Sequence, residues 1–231
     1  MKCAIILCSG GLDSVVSAHY AKKKLGYNIK ILFFNYGQRN LEGERRCTQK
    51  CAEDLNCEFL EVDLDWLGEI SGSLINKKGN VKKLNKKDLK NTREESKKWY
   101  VPCRNMIFIN YALALAESFF VKEGKKFDVF VGFKNEGREF YPDATKEFVR
   151  KMNELSKISC TGKFRVIAPL IEKDKEDIVR LGMKIGVHFQ DTFSCYVGPT
   201  KHCGECLACQ LRKQGFYWAN VADMTEYIKE S

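Results

Sequence analysis

No stretch of this 231-residue sequence approaches the roughly 18 to 20 uninterrupted apolar residues of a membrane-spanning helix. The opening residues, Met1-Lys2-Cys3-Ala4-Ile5-Ile6-Leu7-Cys8, run into a glycine turn without a signal-peptide cleavage pattern. No internal repeat is present, which excludes solenoids and propellers. These absences lead us to expect a cytoplasmic protein. Eleven cysteines in a chain this long, odd in number and without an export signal, read as reduced thiols or a metal site rather than a disulfide framework.

What is present fits one α/β domain of ordinary size, with or without a small appendage: 44% hydrophobic and 30% charged residues. Apolar runs with strand character recur at Cys3 to Cys8, Ile29 to Tyr36, Phe59 to Val62, Asp128 to Phe133 and Phe164 to Ala168. Between most of them lie segments with apolar residues at three- and four-residue spacing: Asp13 to Leu25, Leu41 to Leu55, Arg104 to Lys122, Thr145 to Ile158 and Lys175 to Ile185. Such alternation predicts a doubly wound, mostly parallel sheet of five strands with helices on both faces. Residues 1–191 read as this domain and 192–231 as a cysteine-bearing helical subdomain, closing with an amphipathic run from Leu207 to Ile228.

The formal charge of +9 is uneven. Residues 77–98 hold ten basic and three acidic side chains, so +7 of the excess sits in one segment of low hydrophobicity. We read it as a solvated, mobile insertion, with phosphate or RNA contact as the sharper alternative.

Two motifs carry chemistry. The first strand ends in Cys8-Ser9-Gly10-Gly11-Leu12-Asp13-Ser14, and a helix follows at once. Paired glycines let the backbone approach a phosphate, and unpaired N–H groups at the helix start favour negative charge. This loop is neither G-x-x-x-x-G-K-[ST] nor G-x-G-x-x-G. Asp13, a carboxylate beside phosphates, makes sense through Mg²⁺ or by holding the loop. The second motif is Cys195-x7-Cys203-x2-Cys206-x2-Cys209. Four thiolates close a tetrahedron around Zn²⁺ in the structural manner, one ion per chain. An iron–sulfur cluster, His202 as a substitute ligand and unmetallated thiols are the alternatives.

The loop resembles that of the ATP pyrophosphatases, the adenine nucleotide alpha hydrolase-like superfamily. With the cysteine motif added, the chain resembles the 7-cyano-7-deazaguanine synthase family over nearly its whole length. The resemblance is carried by residues 9–14, Tyr36-Gly37-Gln38-Arg39, Val101-Pro102-Cys103-Arg104-Asn105, Val131-Gly132-Phe133, Phe140-Tyr141-Pro142-Asp143, Ala168-Pro169-Leu170-Ile171, Ser194-Cys195-Tyr196 and Cys203-Gly204-Glu205-Cys206-x2-Cys209-x2-Arg212. It implies a Rossmann-like fold of HUP type and an ATP-dependent ligase that turns 7-carboxy-7-deazaguanine and ammonia into the nitrile. The implied route is adenylated acid, amide and adenylated amide, releasing AMP and pyrophosphate, as a step toward queuosine or archaeosine.

On this reading Asp13, Arg104 and Lys175 are the catalytic candidates, residues 8–14 bind ATP with Mg²⁺, and Gln38, Arg39, Arg104, Tyr141 and Asp143 contact the deazaguanine. Small molecules are the expected partners; neither membrane nor nucleic acid is expected as a direct one. Phe216-Tyr217-Trp218 leaves a homodimer open. The sequence departs from the family where Asn40 replaces a common histidine, at Phe133-Lys134-Asn135-Glu136-Gly137, and at Ala144; we assign Asn40, Glu136 and Ala144 no substrate contact. Two rivals remain: a tRNA thiolation enzyme with Cys103 as nucleophile, and a non-catalytic nucleic-acid or partner-binding module.

Overall fold

The central apolar runs become strands because they are buried on both faces, as a parallel sheet covered by helices requires, while the edge strand Glu58–Asp63 is only partly covered. In the computed structural model, which describes residues 2–77, 79–135, 137 and 140–228, β1 (Cys3–Leu7), β2 (Asn28–Asn35), β3 (Glu58–Asp63), β4 (Phe127–Phe130) and β5 (Val166–Ile167) form one sheet. Its order is β3-β2-β1-β4-β5 and every pairing is parallel. Ala4, Ile5 and Ile6 of the central strand have no exposed surface. Ile6 faces one core with Val16, Ile31 and Ile178, whereas Ile5 faces the other with Leu32, Ile109 and Val129.

Connections run through α1 (Leu12–His19), continued by a π-helical turn over Tyr20–Lys24, then α2 (Leu41–Asp54) and α3 (Asp65–Ile70). They continue through α4 (Arg93–Lys97), α5 (Arg104–Glu123), α6 (Lys146–Ser159), α7 (Lys175–Lys184) and α8 (Leu207–Ala219). No helix among the described residues is long and apolar enough to cross a membrane. The fifth strand is shorter than its sequence pattern. On one side it pairs with β4; on the other, Asn153 of α6 donates to the Val166 carbonyl at 2.8 Å and accepts its amide at 2.9 Å, sealing that edge.

Two expectations are corrected. The terminal amphipathic run does not stay helical to Ile228: α8 stops at Ala219, where Asn220 takes the left-handed conformation at φ +58°. The chain then returns so that the Ile228 amide bonds the His202 carbonyl at 2.8 Å. The basic segment is not simply solvated either. Leu84, Thr92 and Ser96 are buried, and the Leu84 amide donates to the Glu205 carbonyl at 2.9 Å. Its lysines face outward while a few anchors, invisible in an average over composition, dock it on the cysteine-bearing region. Lys78 lies outside the described residues.

Helices α7 and α8 lie against each other, with Phe189 and Phe216 in edge-to-face contact at 5.1 Å. Between β4 and α1 the approach is closer. A Cβ added to Gly132 would sit 2.7 Å from Ser14 Cα and 2.9 Å from its nitrogen. The backbone of the first helical turn cannot give way as a side-chain tip would. Gly132→Ala is therefore expected to destabilise the fold by about 2 kcal/mol in denaturant titration. An unchanged midpoint would show that β4 and α1 are not held at this distance.

Candidate active site

The strand order reverses at β1, whose neighbours are β2 on one side and β4 on the other. In open α/β sheets the crevice beyond the carboxyl ends of such strands is where ligands bind. Here it holds a cavity of about 270 Å³. One wall is the loop after β1: Cys8, Ser9, Gly11, Leu12, Asp13 and Ser14 all line it. Gly10 does not; at φ +70° it turns the chain against α2, where a Cβ would meet the Glu44 carbonyl at 2.5 Å.

Ser14 closes the loop on itself. Its hydroxyl donates to the Gly11 carbonyl at 3.0 Å and accepts the Ser9 amide at 3.2 Å, with the Ser9 hydroxyl at 3.3 Å. The Phe193 amide bolts the loop from outside, donating to the Gly10 carbonyl at 2.8 Å. Asp13 points its Oδ2 to Lys175 Nζ at 2.5 Å, while its Oδ1 is buried without a hydrogen-bond partner. The lysine reaches there from the first turn of α7 by lying across Gly215 of α8, where any Cβ would stand 2.3 Å from its Cγ. Asp13 and Lys175, 162 residues apart, are thus neighbours at the cavity wall.

The opposite wall gathers Tyr36, Glu44, Arg104, Asn105, Phe108, Lys134 and Tyr141. Arg104 donates to the Tyr36 hydroxyl at 3.2 Å, its guanidinium 5.7 Å from that ring. Of the residues expected to meet substrate, Arg104 and Tyr141 line the cavity; Gln38, Arg39 and Asp143 are not among the lining residues. Gln38 accepts the Tyr36 amide at 2.8 Å and donates to the Phe34 carbonyl at 2.9 Å. Asp143 accepts the Asn105 amide at 3.1 Å in the first turn of α5. Cys103 is exposed and is not part of the cavity wall. Ala144 does line the cavity, and Asn40 supports it from behind; Glu136 lies outside the described residues.

Glu44 is the functional candidate that motif reading missed, because a glutamate in the first turn of a helix is ordinarily a response to the helix dipole. Its Oε2 accepts Gln38 Nε2 at 3.1 Å and its Oε1 accepts Asn40 Nδ2 at 2.9 Å. Burial raises its pKa from 4.5 to about 7, more than these two donors and the nearby Arg104 charge can lower it. The available signal was the acid placed four residues beyond Asn40, just after the carboxyl end of β2.

Away from the cavity, the thiol sulfurs of Cys195, Cys203, Cys206 and Cys209 lie within 4.8 Å of one another. The Cys195–Cys206 and Cys203–Cys209 separations are 4.0 Å, close to the edge of a tetrahedron with bonds of about 2.3 Å. Amides of Val197, Gly198 and Cys203 point at the Cys195 sulfur at 3.3, 3.1 and 3.3 Å, and that of Cys206 at the Cys203 sulfur at 3.3 Å. Donors of this kind offset thiolate charge, so the group can hold a metal ion such as zinc. His202 is engaged elsewhere: its Nε2 accepts the Ser194 amide at 2.9 Å, and burial lowers its pKa to about 4. Arg212, three residues beyond Cys209, binds Thr192, Ser194, the Phe189 carbonyl and Asp223.

The raised pKa of Glu44 makes a signed prediction. Folding favours the protonated acid, so its contribution to stability is complete below pH 4.5 and is lost as pH rises through about 7. Between pH 4.5 and about pH 8 the wild type should lose about 3 kcal/mol relative to Glu44→Gln. Parallel stability–pH curves for the two proteins would show that Glu44 titrates normally.

A family model described as "Queuosine biosynthesis protein QueC" matches residues 3–220. A 7-cyano-7-deazaguanine synthase of Methanosphaera stadtmanae is 37% identical over 230 residues, covering 98% of each chain. Proteins of the same name from Methanothermobacter thermautotrophicus and Methanocaldococcus jannaschii are 35% and 36% identical, over 97% and 98% of this chain and 98% and 99% of theirs. Among solved structures, a chain described as a predicted subunit of tRNA methyltransferase from Methanocaldococcus jannaschii superposes with a TM-score of 0.45 at 18% identity, over 79% of this chain and 75% of that one. The chain belongs to the family of queuosine biosynthesis proteins named QueC.

Proposed function

We propose that this protein is an ATP-dependent carbon–nitrogen ligase that converts 7-carboxy-7-deazaguanine and ammonia to 7-cyano-7-deazaguanine. The observation that carries this reading is one cavity with two chemically different walls: a glycine–serine loop at a helix start faces a wall of aromatic rings around Arg104. The first suits polyphosphate and the second a flat, anionic base. Names of relatives that match over nearly their full length support the same product.

The chemistry uses one kind of activation twice. A carboxylate oxygen attacks the α-phosphorus of ATP and pyrophosphate leaves; ammonia then displaces AMP to give the amide. The amide oxygen attacks a second ATP in the same way, and departure of AMP with loss of the nitrogen protons leaves the nitrile. Both carboxylate oxygens go out on AMP, so the protein needs no nucleophile of its own. Its task is to hold charge as it develops.

Backbone amides at the start of α1, with Ser9 and Ser14, take the pyrophosphate side. Lys175 serves the phosphates from across the loop, and Arg104 holds the carboxylate as its oxygen approaches phosphorus. Asp13, with one buried unpartnered oxygen, is the residue that would hold Mg²⁺ arriving with ATP, an ion that neutralises phosphate charge. Gln38 and Asp143 act through Glu44 and the α5 start, and Tyr141 contacts the base directly. The four cysteines would hold one Zn²⁺ in a closed, structural site that ties residues 192–231 together.

Incubation of metal-replete protein with 7-carboxy-7-deazaguanine, ammonium, Mg²⁺ and ATP should give the nitrile and two AMP per product by mass spectrometry. Amide as the end product would restrict the activity to the first step. Intact acceptor with no AMP would overturn the proposal.

A further inference from the structure

Resting on this reading of the cleft, we propose that Glu44 is the general base of the ligation, taking the protons that nitrogen sheds on its way from ammonium to nitrile. Four protons must leave that nitrogen. Ammonium gives one to become the nucleophile. The nitrogen that has displaced AMP gives a second to become a neutral amide. The adenylated amide gives two more as the C–O bond to AMP breaks and the C–N triple bond forms. The electron pair of each broken C–O bond departs on AMP, and each proton needs an acceptor within the closed site.

Among the described residues, two carboxylates line the cavity. Asp13 gives one oxygen to Lys175 at 2.5 Å and, on the reading above, the other to Mg²⁺, which leaves Glu44. Three other titratable groups beside it are poorly suited. Arg104 and Lys134 are cations, and burial pushes the Tyr36 hydroxyl up to about 12. Gln38 and Asn40 each donate one hydrogen bond to the Glu44 carboxyl, fixing its plane and leaving each oxygen a further lone pair. Its own backbone carbonyl lies against Gly10, so the residue that carries the carboxyl is fixed to the loop after β1.

The groups facing it are Arg104 from α5, Tyr36 at the end of β2, and the two amides from the intervening loop. The arginine favours the ionised form while burial opposes it, and the resulting acid has a pKa of about 7. An acid so balanced accepts a proton from a nitrogen intermediate and releases it to solvent before the next step.

The test separates adenylation from nitrogen transfer. Glu44→Gln should keep acceptor-dependent exchange of labelled pyrophosphate into ATP within about threefold of wild type, since that step needs no base at nitrogen. Its amide formation from ammonium at neutral pH should fall by about 100-fold or more. Hydroxylamine, already unprotonated at neutral pH, should restore trapping of the adenylate as hydroxamate to within a few-fold of wild type.

With total ammonia as substrate, the wild-type rate should level off above the Glu44 titration, whereas Glu44→Gln should keep rising tenfold per pH unit as free ammonia accumulates. Glu44→Asp should keep the wild-type plateau at a reduced rate. Equal losses with ammonia and hydroxylamine, unchanged ammonia rates, or loss of exchange in both variants would overturn the proposal by making Glu44 structural. Absence of exchange in the wild type would instead remove the ligase reading on which it stands.

Discussion

Backbone meets backbone on both sides of the loop after β1, and the site depends on both contacts. Gly132 lets the exit of β4 touch the first turn of α1, and Gly10 lets the loop after β1 touch the carbonyl of Glu44 in α2. Each contact excludes even a methyl group. Together they hold the N–H groups of a helix start at the point where the sheet changes direction, pressed between two neighbours that cannot swing away. An anion site built from backbone donors gains from such fixation, because the donors are already oriented before charge arrives.

The cysteine-bearing region carries the same constraint outward. Asn40 donates to the Cys195 carbonyl at 2.8 Å, the Gly43 amide to the Pro199 carbonyl at 2.8 Å, and the Phe193 amide to Gly10. Lys175 crosses Gly215 on the helix that begins immediately after Cys206. A metal bound by the four thiols would thus set the position of the loop's outer support and of Lys175, without lining the cavity itself. That is a physical reason for a structural metal beside the proposed ATP site.

Much of this was legible in the sequence. Strand and helix alternation gave the layer architecture because the central strands are continuous apolar runs; the cysteine spacing marks a group that can hold a metal, and S-G-G-L-D-S marks the loop that lines the cavity. The pairing of Asp13 with Lys175 was visible only as two separate candidates, since nothing local joins residues on α1 and α7. Glu44 escaped because its pKa comes from burial and from partners on another element, neither of which leaves a spacing. The basic segment misled for a related reason: Leu84, Thr92 and Ser96 anchor it, and three buried side chains barely change an average dominated by lysine. Helix α8 was overextended because Val221, Met224 and Ile228 continue a helical spacing that Asn220 breaks through its backbone conformation.

The most direct test concerns the fate of the substrate oxygens. With 7-carboxy-7-deazaguanine carrying ¹⁸O in both carboxylate positions, each of the two AMP molecules formed per nitrile should carry one ¹⁸O on its phosphate, and the pyrophosphate should carry none. Label recovered in water or pyrophosphate, or AMP free of label, would contradict adenylation at this loop as the means by which the acid loses its oxygens.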